Sequence, residues 1–127
     1  MTENDSRDLI VLVVEDIDET RHFMRLELED RGYRVLEAVD GKQAVEVAVR
    51  ERPNVILMDL SLPVMDGLEA TARIREHEEL STIPIVAVTA HQENDLRANA
   101  QASGFTAYVT KPIDFNWLND LLNTLLP

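Results

Sequence analysis

The chain has no cysteine among its 127 residues. Disulfides and thiolate metal sites are therefore excluded, while the redox compartment stays open. Long apolar runs are missing too: none approaches the roughly 18 residues of a membrane span, and no basic segment leads into a hydrophobic stretch. The expectation is a soluble cytoplasmic protein with no membrane partner. Only three histidines occur, His22, His77 and His91, too far apart in sequence to read as a metal cluster and expected at the surface. Bases are scarce: 12 Lys and Arg face 24 Asp and Glu, a formal charge of −12. Nucleic acid binding relies on Lys and Arg displacing counterions, so DNA is not an expected partner. A metal cation or a basic protein patch would be drawn to such a surface instead.

What is present is a regular alternation. Leu9 to Val14 is the most continuous apolar run and reads as a central strand ending in Glu15-Asp16. Asp18 is placed as the cap of a helix to about Arg31, with Met24 and Leu28 inward and Gly32 as its stop. Arg34 to Ala38 alternates polar and apolar, as an edge strand does. Asp40-Gly41 opens a second helix with Ala44 and Ala48 on one face, and Pro53 ends it. Val55 to Met58 is a buried strand closed by Asp59. Asp66-Gly67 leads into a third helix to about His77, and Pro84 precedes the strand Ile85 to Thr89. A fourth helix is expected over about 93–103, ending at Gly104. Thr106 to Thr110 reads as the second edge strand, closed by Lys111-Pro112. Asp114 then caps a final helix with Leu118, Leu121, Leu122 and Leu125 as an apolar stripe, and Trp117 lies just beyond it, fit for either core or a partner surface.

Five strands alternating with five helices predict a doubly wound α/β fold, one domain over residues 1–127 with a flexible 1–8. Strands one, three and four read as buried and two and five as edges, which fits a parallel order 2-1-3-4-5 with right-handed crossovers. Ligands in such sheets bind beyond the carboxyl ends of the strands, where the winding reverses. That rule selects Glu15, Asp16, Asp59, Thr89 and Lys111.

A carboxylate at the end of a buried strand is costly unless it has a cation or a reaction to serve. Mg²⁺ prefers octahedral oxygen donors and few carboxylates. Asp16, Asp59 and a carbonyl just after Asp59, that of Ser61, offer such a set, with Glu15 holding a water. Asp59 can also act as a nucleophile toward phosphorus, with the Lys111 ammonium and the Thr89 hydroxyl balancing the incoming charge.

These residues, with Leu62-Pro63-Val64-Met65-Asp66-Gly67 behind Asp59 and Ala87-Val88-Thr89-Ala90 and Lys111-Pro112 beyond, resemble the bacterial two-component response-regulator receiver domain over about Leu9 to Leu126. The resemblance implies that Asp59 accepts a phosphoryl group from the phosphohistidine of a sensor histidine kinase or histidine phosphotransfer protein. It implies a Mg²⁺ pocket at Glu15 and Asp16, phosphate contact by Lys111, a cis Lys111–Pro112 bond, and Thr89 and Tyr108 as a switch pair. That pair would alter the surface of the fourth helix, fifth strand and final helix for a downstream protein target. Ser61 and His91, two residues past Asp59 and Thr89, stand where the family tunes phosphoryl lifetime. The fourth helix, anchored by Leu96 and small residues such as Ala100, is expected to open easily.

Thr106-Ala107 replaces the acids that dimerising transcription-factor receivers carry before the switch tyrosine. With the chain ending at Pro127, a stand-alone receiver is expected rather than a DNA-binding regulator. The alternative is a pseudo-receiver, a protein-binding adaptor that is not phosphorylated, although such chains usually lose a site residue. A haloacid-dehalogenase-type hydrolase would need a second Asp where Ser61 stands, and a flavodoxin-like carrier would set its flavin phosphate against Glu15-Asp16.

Overall fold

In the computed structural model, residues 9–90 and 104–126 are described. Five strands, β1 (Ile10–Val14), β2 (Arg34–Ala38), β3 (Val55–Asp59), β4 (Ile85–Thr89) and β5 (Ala107–Thr110), form one sheet. Its order is β2-β1-β3-β4-β5 with every pair parallel, as the strand characters predict. The helices are α1 (Asp18–Asp30), α2 (Gly41–Glu51), α3 (Gly67–Arg75) and the C-terminal helix (Phe115–Leu125), with one 3₁₀ turn at Glu78–Leu80. The expected fourth helix, with Leu96 and Ala100, lies outside the described residues, as do the N-terminal segment 1–8 and His91. Among the described residues no helix is long and apolar enough to cross a membrane.

Side chains alternate across a strand, and the core divides accordingly. Leu12, Val14, Ile56, Met58, Ile85 and Ala87 pack toward α2 and α3. Val11, Val13, Val55, Leu57, Val86, Val88 and Val109 face α1 and the C-terminal helix, where Met24, Leu28, Leu118 and Leu122 close the layer. Burying each such leucine contributes about 1.5–3 kcal/mol.

Asp40, Asp66 and Asp114 cap their helices through the amides of Gln43, Glu69, and Asn116 with Trp117. Asp18 does not. The N-cap of α1 is Ile17, without a side-chain cap, and Asp18 is the first helical residue, its carboxylate 2.7 Å from Arg21 Nη2. A partner one turn further on has drawn the acid away from the helix amides. The Lys111–Pro112 bond is cis.

Arg75, at the end of α3, ties two connections to the sheet. Its Nη1 donates to the Leu80 carbonyl at 2.9 Å, and Nε and Nη2 both donate to the Gly104 carbonyl, at 3.0 and 2.9 Å. Burial pushes this guanidinium below its usual range, so the carbonyls rather than an acid hold its charge. Arg75→Met keeps the stem but leaves these acceptors unpaired, which is expected to cost about 2–3 kcal/mol in chemical denaturation. A midpoint unchanged from wild type would contradict this role.

Candidate functional site

Register brings the acids together. Val14 pairs with Met58 across β1 and β3, so Glu15 and Asp59 fall next, level with one another. Both continue the row of Val13 and Leu57, and alternation sends their carboxylates to the α1 side of the sheet. Lys111, following Thr110 at the end of β5, approaches the same place. Its Nζ lies 3.0 Å from Glu15 Oε1 and 3.2 Å from Asp59 Oδ2.

Glu15 is 1% exposed and Asp59 5%, a burial that carboxylates tolerate only when paired. The pairing is shared out. Glu15 Oε2 accepts from the Ile17 amide at 3.1 Å, and Asp59 Oδ1 accepts from the Ser61 amide at 3.1 Å. Burial alone would lower the Lys111 pKa, but the hydrogen bond to Glu15 and the charges of Asp59 and Glu15 outweigh it and raise the value. The ammonium therefore stays charged at neutral pH.

Asp16 is exposed beside this pair. One ligand oxygen from each of Glu15, Asp16 and Asp59 falls within a 4.8 Å cluster. Three acids so close, with one ammonium among them, leave excess negative charge. Hard carboxylate oxygens in a small cluster suit a hard divalent cation such as Mg²⁺ and not zinc, whose preferred nitrogen and sulfur donors are missing from it.

Thr89 is buried at the end of β4 and paired with Thr110. It continues the row of Ile85 and Ala87, on the α3 side, where Tyr108 packs against the same core cluster. Ala87 pairs with Tyr108, so Thr89 and Tyr108 are diagonal neighbours on one face. Alternation thus places Glu15, Asp59 and Lys111 in the row on the α1 side and Thr89 with Tyr108 in the row on the α3 side, with Asp59 and Thr89 both the last residues of their strands. Trp117 is 52% exposed. It lies on the surface rather than in the core, lining a cleft of about 490 Å³ with Tyr108 and Ile113.

The loop after Asp59 is tightly folded. A Cβ on Gly67 would stand 2.3 Å from the Asp59 carbonyl, and one on Gly41 only 1.9 Å from that of Met65. No side chain fits at either position. Between them the Met65 amide donates to the Pro63 carbonyl at 2.7 Å around Val64, whose φ is +70°. This is a γ-turn of the rarer, strained form, occupied by a β-branched residue that disfavours it. Val64 is 78% exposed, so packing does not demand valine. Val64→Asn is expected to stabilise the protein by about 1 kcal/mol, seen as a higher melting temperature; a lower one would mean that the turn carries no such strain.

Reading the sequence alone misses Arg21. It lies near the N-terminus of α1, where a base opposes the helix dipole, and that misplacement was the available signal. Its Nη1 donates to the Glu15 carbonyl at 3.0 Å and its Nε to Glu37 Oε1 at 2.7 Å.

Comparison with known proteins agrees with this geometry. The family pattern described as Response regulator receiver domain matches residues 11–123. The polar-differentiation response regulator DivK of Brucella anthropi is 36% identical over 103 residues, 81% of this chain and 84% of that protein. The chemotaxis protein CheY4 of Vibrio cholerae superposes with a TM-score of 0.88 at 30% identity, over 93% of this chain and 98% of that one. The receiver domain of the sensor histidine kinase PA1611 of Pseudomonas aeruginosa, with a magnesium ion coordinated in its active site cleft, gives 0.87 at 38% identity, over 92% and 96%. With nearly all of its length matched in sequence and in fold, the chain belongs to the response regulator receiver domain family.

Proposed function

We propose that this chain is the phosphoacceptor of a two-component phosphorelay, with Asp59 taking a phosphoryl group from the phosphohistidine of a sensor histidine kinase or histidine phosphotransfer protein. The observation that carries the reading is the convergence of Glu15, Asp16 and Asp59 within 4.8 Å, with Lys111 bonded to two of them. An Asp59 oxygen forms the new bond to phosphorus as the P–N bond breaks. The electron pair stays on the imidazole nitrogen, and Lys111 transfers its hydrogen bond from Asp59 to a phosphoryl oxygen. Asp16, Asp59 and the Ser61 carbonyl would hold Mg²⁺, with Glu15 acting through a water. Bound there, the ion supplies positive charge to the phosphoryl oxygens. Ser61 and His91 would set how readily water reaches the acyl phosphate.

Thr89 and Tyr108 share a face of the sheet, which supports their assignment as the switch pair. Their movement together would remodel the surface around β5 and the C-terminal helix, the surface that Trp117 exposes to a downstream protein target. On the other side, Phe23, Pro112, Ile113 and Phe115 line an apolar cleft of about 430 Å³ beside Lys111. A phosphohistidine donor docked there would be next to the acceptor. The net charge of −12 supports protein partners over DNA, and a cytoplasmic location follows from such partners.

Incubation with acetyl phosphate and Mg²⁺ followed by intact-mass measurement tests this. One phosphoryl adduct is expected, absent in Asp59→Ala. An unmodified wild-type protein would favour an adaptor that works without phosphate.

A further inference from the structure

We infer that Arg21, anchored by Glu37 on β2, is a positioning residue that fixes the Glu15–Asp16 turn through the Glu15 carbonyl and so sets cation affinity at the acidic cluster. This rests on the proposed Mg²⁺ reading and adds to it a part of the chain outside the cluster.

The turn is gripped from three directions at one residue. The Glu15 amide donates to the Ala38 carbonyl of β2 at 3.1 Å. The Glu15 carboxylate takes Lys111 and the Ile17 amide, and the Glu15 carbonyl takes Arg21 Nη1 at 3.0 Å. Asp16 follows directly and is exposed, so its position is inherited from this grip.

Arg21 is itself fixed. Nε reaches Glu37 Oε1 and Nη2 reaches Asp18 Oδ1, both at 2.7 Å, and the side chain is largely buried. Glu37 is held in turn by Arg25 through its second oxygen. Burial would raise the Glu37 pKa, but the hydrogen bonds from Arg25 and Arg21 win and lower it, so the anchor stays ionised. A planar guanidinium can satisfy these three oxygens at fixed angles, whereas an ammonium on a flexible stem cannot.

Charge and positioning predict opposite signs. Arg21 is a cation near a cation site, so by Coulomb's law alone its neutralisation should tighten Mg²⁺ binding. If it positions Asp16, losing it should weaken binding. Mg²⁺ is titrated into wild type, Arg21→Gln and Arg21→Lys, followed by calorimetry and by the backbone amide shifts of Glu15 to Ile17 and Asp59 to Ser61. Both variants are expected to bind about tenfold more weakly, the scale set by groups that orient metal ligands. General destabilisation would lower the melting temperature but leave the dissociation constant of the folded protein unchanged. Unchanged or tighter binding in Arg21→Gln, or wild-type affinity in Arg21→Lys, overturns the inference and leaves the Mg²⁺ reading intact. Should Arg21→Gln not fold, Arg21→Lys decides alone. Absence of Mg²⁺ binding in the wild type would instead refute the reading on which the inference rests.

Discussion

Replacing Asp59 with asparagine is expected to make the metal-free protein more stable while abolishing its capacity to be phosphorylated. Among the described residues Asp59 has two acids, Glu15 and Asp16, and one base, Lys111, as its near charged neighbours. At the 4.8 Å limit of the acidic cluster each repulsion is about 3–4 kcal/mol for an effective dielectric near 20, while the Lys111 attraction at 3.2 Å is about 5 kcal/mol. Two repulsions against one attraction leave a net penalty, which solvent and salt reduce to about 1–2 kcal/mol. Asparagine removes it without changing the shape of the site. Denaturant midpoints of the two proteins in EDTA test the sign. The same variant should lose most of the stabilisation that Mg²⁺ gives the wild type, because binding contributes only as far as affinity is retained. A metal-free Asp59→Asn protein less stable than the wild type would mean that Lys111 already balances the cluster.

Lys111→Met should act in the opposite direction. It leaves Glu15 and Asp59 buried together without their cation, and removing one partner of a buried pair typically costs about 3–5 kcal/mol. The raised pKa of Lys111 fixes the pH window. A base whose folded pKa lies above its unfolded value contributes fully below the unfolded lysine range, about 10.4, and loses that contribution as pH rises through the folded value. The full cost is thus expected at neutral pH, and wild type and variant should converge only in strong alkali. High Mg²⁺ should restore part of the stability, since a divalent cation can replace the ammonium as counter-charge, but not the rate of phosphoryl transfer. Loss of one preorganised charge contact to the phosphoryl group should slow that step by about 10²–10³. Acetyl phosphate labelling rates under conditions where both proteins are folded measure this. An undiminished rate would remove Lys111 from the chemistry.

Much of this was legible in the residues. The apolar runs ending in Glu15, Asp59 and Thr89 carry both the strands and their burial, and the contrast between continuous and alternating runs carries the sheet order. Asp40, Asp66 and Asp114 mark helix starts because each stands alone before an apolar-periodic segment. Asp18 misleads because Arg21, three residues on, competes for its carboxylate, a contact that helix periodicity does not encode. The division of the site into an α1 side and an α3 side follows from strand alternation and register, available only once the pairing is known. Arg75 and Arg21 were missed for a shared reason. Each donates to main-chain carbonyls outside its own helix, those of Glu15 for Arg21 and of Leu80 and Gly104 for Arg75, and a carbonyl has no residue signature. The turn at Val64 was hidden by its own side chain, since a β-branched residue is the last expected at positive φ.

In the proposed mechanism one cation lets Asp59, among crowded acids, become an acyl phosphate. Borohydride reduces an acyl phosphate to an alcohol and so converts a phosphorylated aspartate to homoserine. After acetyl phosphate treatment with Mg²⁺, reduction and peptide mapping should place homoserine at position 59 and nowhere else, and EDTA should prevent it. Homoserine at another acid, none at all, or an equal yield without the metal would contradict the account.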